Sequence, residues 1–122
     1  MKIRMQGNSI RLRLTQSEMR TLQESGRVAE RVSFGPDALT YTLEKTPASV
    51  MSARFADGQI TVFVPEAKAE DWISTDLAGL EHTADLGNGE SLRILVEKDF
   101  KCLTVRPGED ESDNFENPNG AC

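Results

Sequence analysis

The chain is short of the residues that usually announce an activity. It has one histidine, His82, and no serine lies in a G-x-S-x-G setting, so the sequence offers no hydrolase triad. It contains neither a G-x-x-x-x-G-K-[ST] phosphate loop nor a G-x-G-x-x-G turn. Its two cysteines, Cys102 and Cys122, are too few for a disulfide framework. No apolar run approaches the roughly 18 residues of a membrane span, and residues 1–10 lack the apolar stretch of a signal peptide. These absences point to a cytoplasmic protein away from the membrane. Aromatics make up only 6% of the 122 residues, which suits one domain with a light core. Acidic side chains outnumber basic ones 20 to 14, and the net charge of −6 argues against general nucleic-acid binding.

What the chain does have is a pattern that occurs twice. Residues 2–14 align with residues 52–64 at a constant offset of 50, so that Ile10, Leu12 and Leu14 correspond to Ile60, Val62 and Val64. Val28, Glu30, Val32 and Phe34 correspond to Leu80, His82, Ala84 and Leu86 at an offset of 52. Leu39, Tyr41 and Leu43 correspond to Leu92, Ile94 and Val96 at an offset of 53. Each segment alternates apolar and polar residues with the period of a half-buried strand. Gly7-Asn8, Gly35-Pro36-Asp37, Asp57-Gly58 and Gly87-Asn88-Gly89 supply the turns.

Between the strand pairs lie helical signals. Thr15-Gln16-Ser17-Glu18 is a capping box, followed by Met19 and Leu22 on one face and a stop at Gly26. In the second half, Pro65 suits a helix start, and Ala69, Trp72 and Ile73 form the apolar face, with Trp72 in the place of Leu22. The expected fold class is α+β. Two duplicated ββαββ units, about 2–45 and 52–98, form an antiparallel sheet or a closed barrel with two helices. They make one domain over 1–106, and an acidic C-terminal tail occupies 107–122. Closure would remove the exposed edges of an open sheet. The tail carries Glu109, Asp110, Glu111, Asp113 and Glu116 with no basic residue after Arg106, yet it contains Phe115, an unusual residue for a purely solubilising tail. It is expected to dock through Phe115, with its acids paired to Arg4, Arg11 or Arg13.

The charge is unevenly spread. Residues 1–34 carry seven basic and three acidic side chains, the remainder seven and seventeen. Lys2, Arg4, Arg11 and Arg13 share one face of the first hairpin, and Arg54 stands in the equivalent position to Arg4. Guanidinium groups so placed suit phosphate or carboxylate, so these five residues are the candidate anion-binding set. Glu30 and His82 occupy equivalent places on otherwise apolar faces and are expected as a buried polar pair with a structural role. No metal or other cofactor is expected. The weaker alternative is a site from His82, Cys102 and Cys122, completed by Asp110 or Asp113, but the close ligand pairs of zinc domains are missing. Asp110, Glu111 and Asp113 do not follow the calcium-loop spacing.

Several segments carry a resemblance. Residues 7–14 (GNSIRLRL), 39–41 (LTY), 96–103 (VEKDFKCL) and the acidic ending 109–113 with Asn117-Pro118 resemble a family of small uncharacterised bacterial proteins, a domain of unknown function. That resemblance implies no activity, cofactor or catalytic residue. A duplicated barrel with interior arginines is also similar in architecture to triphosphate tunnel enzymes of the CYTH type. Those begin with a Glu-x-Glu-x-Lys strand that binds metal and phosphate, where this chain reads Lys2-Ile3-Arg4-Met5. The reading that follows is a non-enzymatic cytoplasmic binding or interaction module. Its partner would be a small anionic ligand or another protein, and it could form an oligomer. A triphosphate-tunnel-type phosphohydrolase is the alternative.

Overall fold

The structure is a computed structural model describing residues 1–101, 108 and 110–117. The strands are β1 (Lys2–Met5), β2 (Ser9–Leu14), β3 (Arg27–Ser33), β4 (Ala38–Thr46), β5 (Ser52–Ala56), β6 (Gln59–Pro65), β7 (Gly79–Gly87) and β8 (Glu90–Lys98). Helix α1 (Gln16–Ser25) follows β2, and α2 (Glu66–Ser74) follows β6. The order ββαββ therefore occurs twice, as the periodicity predicts.

The local signals act as their chemistry requires. Thr15 caps α1: its backbone N–H donates to Glu18 Oε1 at 2.9 Å, and its hydroxyl accepts from the Glu18 N–H. Gly26 ends the helix in the left-handed conformation, φ 78°, with its N–H on the Leu22 carbonyl. Met19 and Leu22 of α1 and Ala69 and Trp72 of α2 are buried, and the Trp72 indole N–H donates to the Ala78 carbonyl at 3.2 Å. Ile73 is only partly buried.

The strands do not form one antiparallel sheet, nor do they close into a barrel. They make two separate four-stranded sheets, ordered β1-β2-β8-β7 and β3-β4-β6-β5. Each sheet joins the first hairpin of one half to the second hairpin of the other. The joining pairs, β2–β8 and β4–β6, are parallel, so both sheets are mixed. Alternation tells which face of a strand is buried, but it does not name the neighbour, and here each hairpin pairs across halves. The registers of the two sheets correspond. Moving 50 residues forward from β2 and 53 back from β8 turns Ile10–Ile94 into Ile60–Tyr41 and Leu12–Val96 into Val62–Leu43, and both pairings occur.

Ile10, Leu12, Leu14, Ile94 and Val96 from one sheet and Leu43, Val62 and Val64 from the other join the helix residues in one apolar cluster. The parallel strands are the central strands of each sheet and supply its middle through their inward-facing residues. The sheets are also tied at an edge. The Met1 ammonium is ion-paired with Glu18 and lies 2.9 Å from Glu30 Oε1, and the Tyr41 hydroxyl donates to the Met1 carbonyl at 2.6 Å. All four hairpin turns lie at the end away from the helices, because β2, β8, β4 and β6 each start at a turn and β2 and β6 run into α1 and α2.

The described part of the tail packs on the domain. Phe100 and Phe115 form a bridge and an edge-to-face contact, centroids 6.1 Å apart, and Lys98 Nζ lies 5.4 Å over the Phe115 ring. The Phe115 N–H donates to Asp99 O at 2.8 Å, and the Lys101 N–H donates to Phe115 O at 2.7 Å. Asp113 meets a different partner from the expected arginines. Asp113 accepts from the Ser17 N–H at 3.3 Å, and its carbonyl accepts from the Gln16 N–H at 2.9 Å. A helix N-terminus offers unpaired N–H groups and the positive end of its dipole, and that outcompetes solvated arginines. The Ser17 hydrogen bond holds the Asp113 carboxyl below its ordinary pKa. Cys102, Leu103 and Val105, whose apolar character suits a further short strand, lie outside the described residues.

Candidate functional site

The outer face of the β1-β2-β8-β7 sheet carries a dense group of polar side chains. Strand alternation that buries Ile10, Leu12 and Ile94 turns Arg4, Arg11 and Arg93 to the opposite side. The register sets Arg4 opposite Arg11, and Arg11 beside Leu95 on β8, with Arg93 two residues away. These three arginines, Gln6 and Ser9 surround a shallow hollow of about 150 Å³, with Leu95 among its lining residues. Leu95 is buried although it faces outward, so the arginine stems cover it while their charged ends stay in water.

Each guanidinium is already partly oriented. Arg11 Nε lies 2.7 Å from Glu97 Oε1, a buried oxygen that receives no aligned hydrogen bond. Arg93 Nε donates to Glu81 Oε1 at 2.8 Å, and this bond holds the Glu81 carboxyl below its usual range. Arg4 Nη2 donates to Gln6 Oε1 at 3.1 Å. The Nε hydrogen bond to Glu81 fixes the plane of Arg93, the ion pair with Glu97 draws Arg11 to its place, and the Nη hydrogens of both remain for a ligand.

The structure brings together only part of the expected set. Arg4 and Arg11 converge. Lys2 instead reaches Asp99 Oδ2 at 3.1 Å, and Arg13, opposite Lys2, does not line the hollow. Arg54 belongs to the other sheet, where its guanidinium sits 5.9 Å over the Phe63 ring. Arg93 was missed by sequence reasoning, since it lies 82 residues from Arg11 inside the apolar run 92–96. The one signal was its outward place between Leu92 and Ile94. Glu30 and His82 are not a buried pair. Both are partly exposed and sit on edge strands of different sheets, and Glu30 serves the Met1 ammonium. Among the described residues, no three His, Cys, Asp or Glu side chains cluster so as to hold a metal ion. Cys102 and Cys122 lie outside the described residues.

The second sheet serves as an internal control. Under the same correspondence, Arg4, Arg11, Leu95 and Arg93 become Arg54, Thr61, Thr42 and Thr40. The fold is thus built equally well with threonines at these places, and the arginine cluster is not a requirement of the architecture.

Residues 1–119 match the model of a protein family of unknown function. The chain belongs to that family of unknown function, DUF7009. The resemblance noted in the sequence is thereby established at family level. No curated protein and no solved structure matches the chain. No helix among the described residues of this DUF7009 chain is long and apolar enough to cross a membrane.

Proposed function

We propose that this DUF7009 chain is a non-catalytic binding module that takes a small phosphate- or carboxylate-bearing ligand in the hollow between Arg4, Arg11 and Arg93. The observation that carries this reading is the convergence of three guanidinium groups from three adjacent strands, set against threonines at two of the equivalent places in the other sheet. Planar guanidinium forks recognise such anions bidentately. Glu97 and Glu81 position two of the forks and also set a threshold, because a ligand must compete with them for the cations. The triphosphate-tunnel alternative loses its main support, since the two sheets do not enclose a barrel interior. We read the two halves as copies of one ancestral unit, a reading supported by the corresponding registers, and assign the module to the reducing cytoplasm on its sparing use of cysteine.

The test is a calorimetric titration with inorganic phosphate, pyrophosphate and citrate at fixed ionic strength. One of these should bind, and both Arg11→Ala and Arg93→Ala should abolish binding while Arg54→Ala leaves it intact. Failure of every anion to bind, or equal loss in Arg54→Ala, would remove the reading.

A further inference from the structure

The inner faces of the two sheets are sealed at the helix end and open at the turn end. Along β3 the inward residues run from buried Val28 through half-buried Glu30 to exposed Val32, and exposed Phe34 follows at the turn. Met5 stands opposite Ile10, Phe55 opposite Ile60, and Val32 opposite Leu39, so the exposed residues continue the core face directly. Between the sheets at this end is a hollow of about 410 Å³ lined by Met5, Ile10, Leu39, Phe55, Ile60 and Leu92 together with Ala53 and Arg54. Its lining is almost wholly apolar. Arg54 is the one charged residue there, and its guanidinium is stacked on Phe63.

We propose that this open end is a homodimer interface, covered by a second copy of the chain. Phe55 is 71% exposed, Phe34 68% and Met5 58%. At roughly 150–250 Å² per aromatic side chain, the two phenylalanines alone leave on the order of 250 Å² uncovered. With Met5 and Val32 the patch reaches roughly 400 Å², within the range of the largest, often functional, patch of a monomer. That area suits the apolar centre of an interface burying about 800 Å² on each partner. A two-fold interface uses the same patch on both subunits, so the patch must complement itself. This one contains both projecting rings and the hollow to receive them. A ligand with a polar head finds only Arg54, already stacked on Phe63, to orient it there, whereas an apolar surface of the same kind meets no penalty. Each copy carries a net charge of −6, so the association works against like-charge repulsion and is strengthened by salt. The interface lies on the inner faces, whereas the arginine hollow opens on the outer face of the first sheet. The β1–β2 turn, whose Gln6 lines the arginine hollow, borders both, and the interface does not depend on those arginines.

Sedimentation velocity of the full chain over about 1–100 µM tests the proposal. The expected result is a species of twice 13.5 kDa that dissociates on dilution and gains population as salt rises from about 0.05 to 0.5 M. Phe55→Ser and Phe34→Ser should each weaken the dimer at least about tenfold. Both side chains are largely in water within one copy, so the far-ultraviolet spectrum should be unchanged. Should either variant not fold, concentration-dependent hydrogen-exchange protection of wild-type residues 31–34 and 53–56 reads the same contact. A monomer at all concentrations and both salts would overturn the proposal. So would a dimer insensitive to both substitutions, or a monomer that instead saturates with an apolar dye at this end.

Discussion

Replacing Phe115 with alanine should release the C-terminal segment from the domain, and the release can be read at a distance. The ring is partly buried against the core cluster, and complete burial of such a side chain is worth about 1.5–3 kcal/mol. Partial exposure reduces this to about 1–2 kcal/mol. The edge contact with Phe100 and the Lys98 ammonium over the ring add roughly 0.5–1 kcal/mol together. The backbone bonds to Asp99 and Lys101 are available to alanine as well, so they do not enter the difference. The expected loss of docking free energy is therefore about 2 kcal/mol, or close to thirtyfold in the opening equilibrium. The Gln16 amide reports it, because its proton is held by the Asp113 carbonyl. Hydrogen exchange at Gln16 should accelerate by that factor in Phe115→Ala, and by much less in Asp113→Asn, whose contacts to the Ser17 N–H are long and exposed. If Gln16 and Phe115 already exchange freely in the wild-type chain, or if Asp113→Asn releases the segment and Phe115→Ala does not, the assignment of docking to the ring is wrong.

Other outcomes follow from single contacts. Burial opposes charge on the Met1 ammonium, but hydrogen bonds to Glu18 and Glu30 outweigh it and raise its pKa; Glu18 is likewise disfavoured by burial, yet the Met1 ammonium and the Thr15 N–H hold its pKa down. The ammonium's contribution is complete below its unfolded pKa near 8 and is lost as pH rises through the raised value. That of Glu18 is complete above its unfolded pKa near 4.3 and is lost as pH falls through the lowered value. Unfolding midpoints should therefore form a plateau between about pH 5 and 8, and Glu18→Gln should flatten both shoulders. Trp72→Ala removes a fully buried indole and should cost about 3–5 kcal/mol by denaturant titration. Gly58→Ala should cost at least about 1 kcal/mol in the same measurement, because φ is +71° and the new Cβ would stand 3.2 Å from the Ala38 carbonyl oxygen.

Much of the fold was legible because its local devices are short-range. Thr15, Glu18 and Gly26 delimit α1 through groups at most four residues apart, and Asp57-Gly58 turns its hairpin by its own backbone preference. Alternation gave the buried faces correctly through β2, β6 and β8. The pairing of β2 with β8 was not legible, because nothing in an alternating strand records which other strand lies beside it. The site suffered from the same gap. Arg4 and Arg11 were found within one hairpin, whereas Arg93 joins them only through the parallel register. The docked tail shows the same limit in another form. Phe115 was marked by its apolar character, but its neighbour Asp113 was assigned to arginines because charge is visible in a sequence and the free N–H groups of a helix end are not.

The crossed pairing of the two halves also sets an order of assembly. Thr40 of β4 meets Gln59 only 19 residues later, so the second sheet can close its parallel pair as soon as β6 has been made. Ser9 must wait for Arg93, 84 residues on, and at roughly 5–20 residues per second that delay lasts on the order of 4–17 seconds during synthesis. For that time the Ile10, Leu12 and Leu14 stripe has no sheet to complete. A nascent chain stopped before β8 would thus hold one finished sheet and an N-terminal hairpin without a parallel partner. Loss of the last strand should be felt most at the opposite end of the sequence.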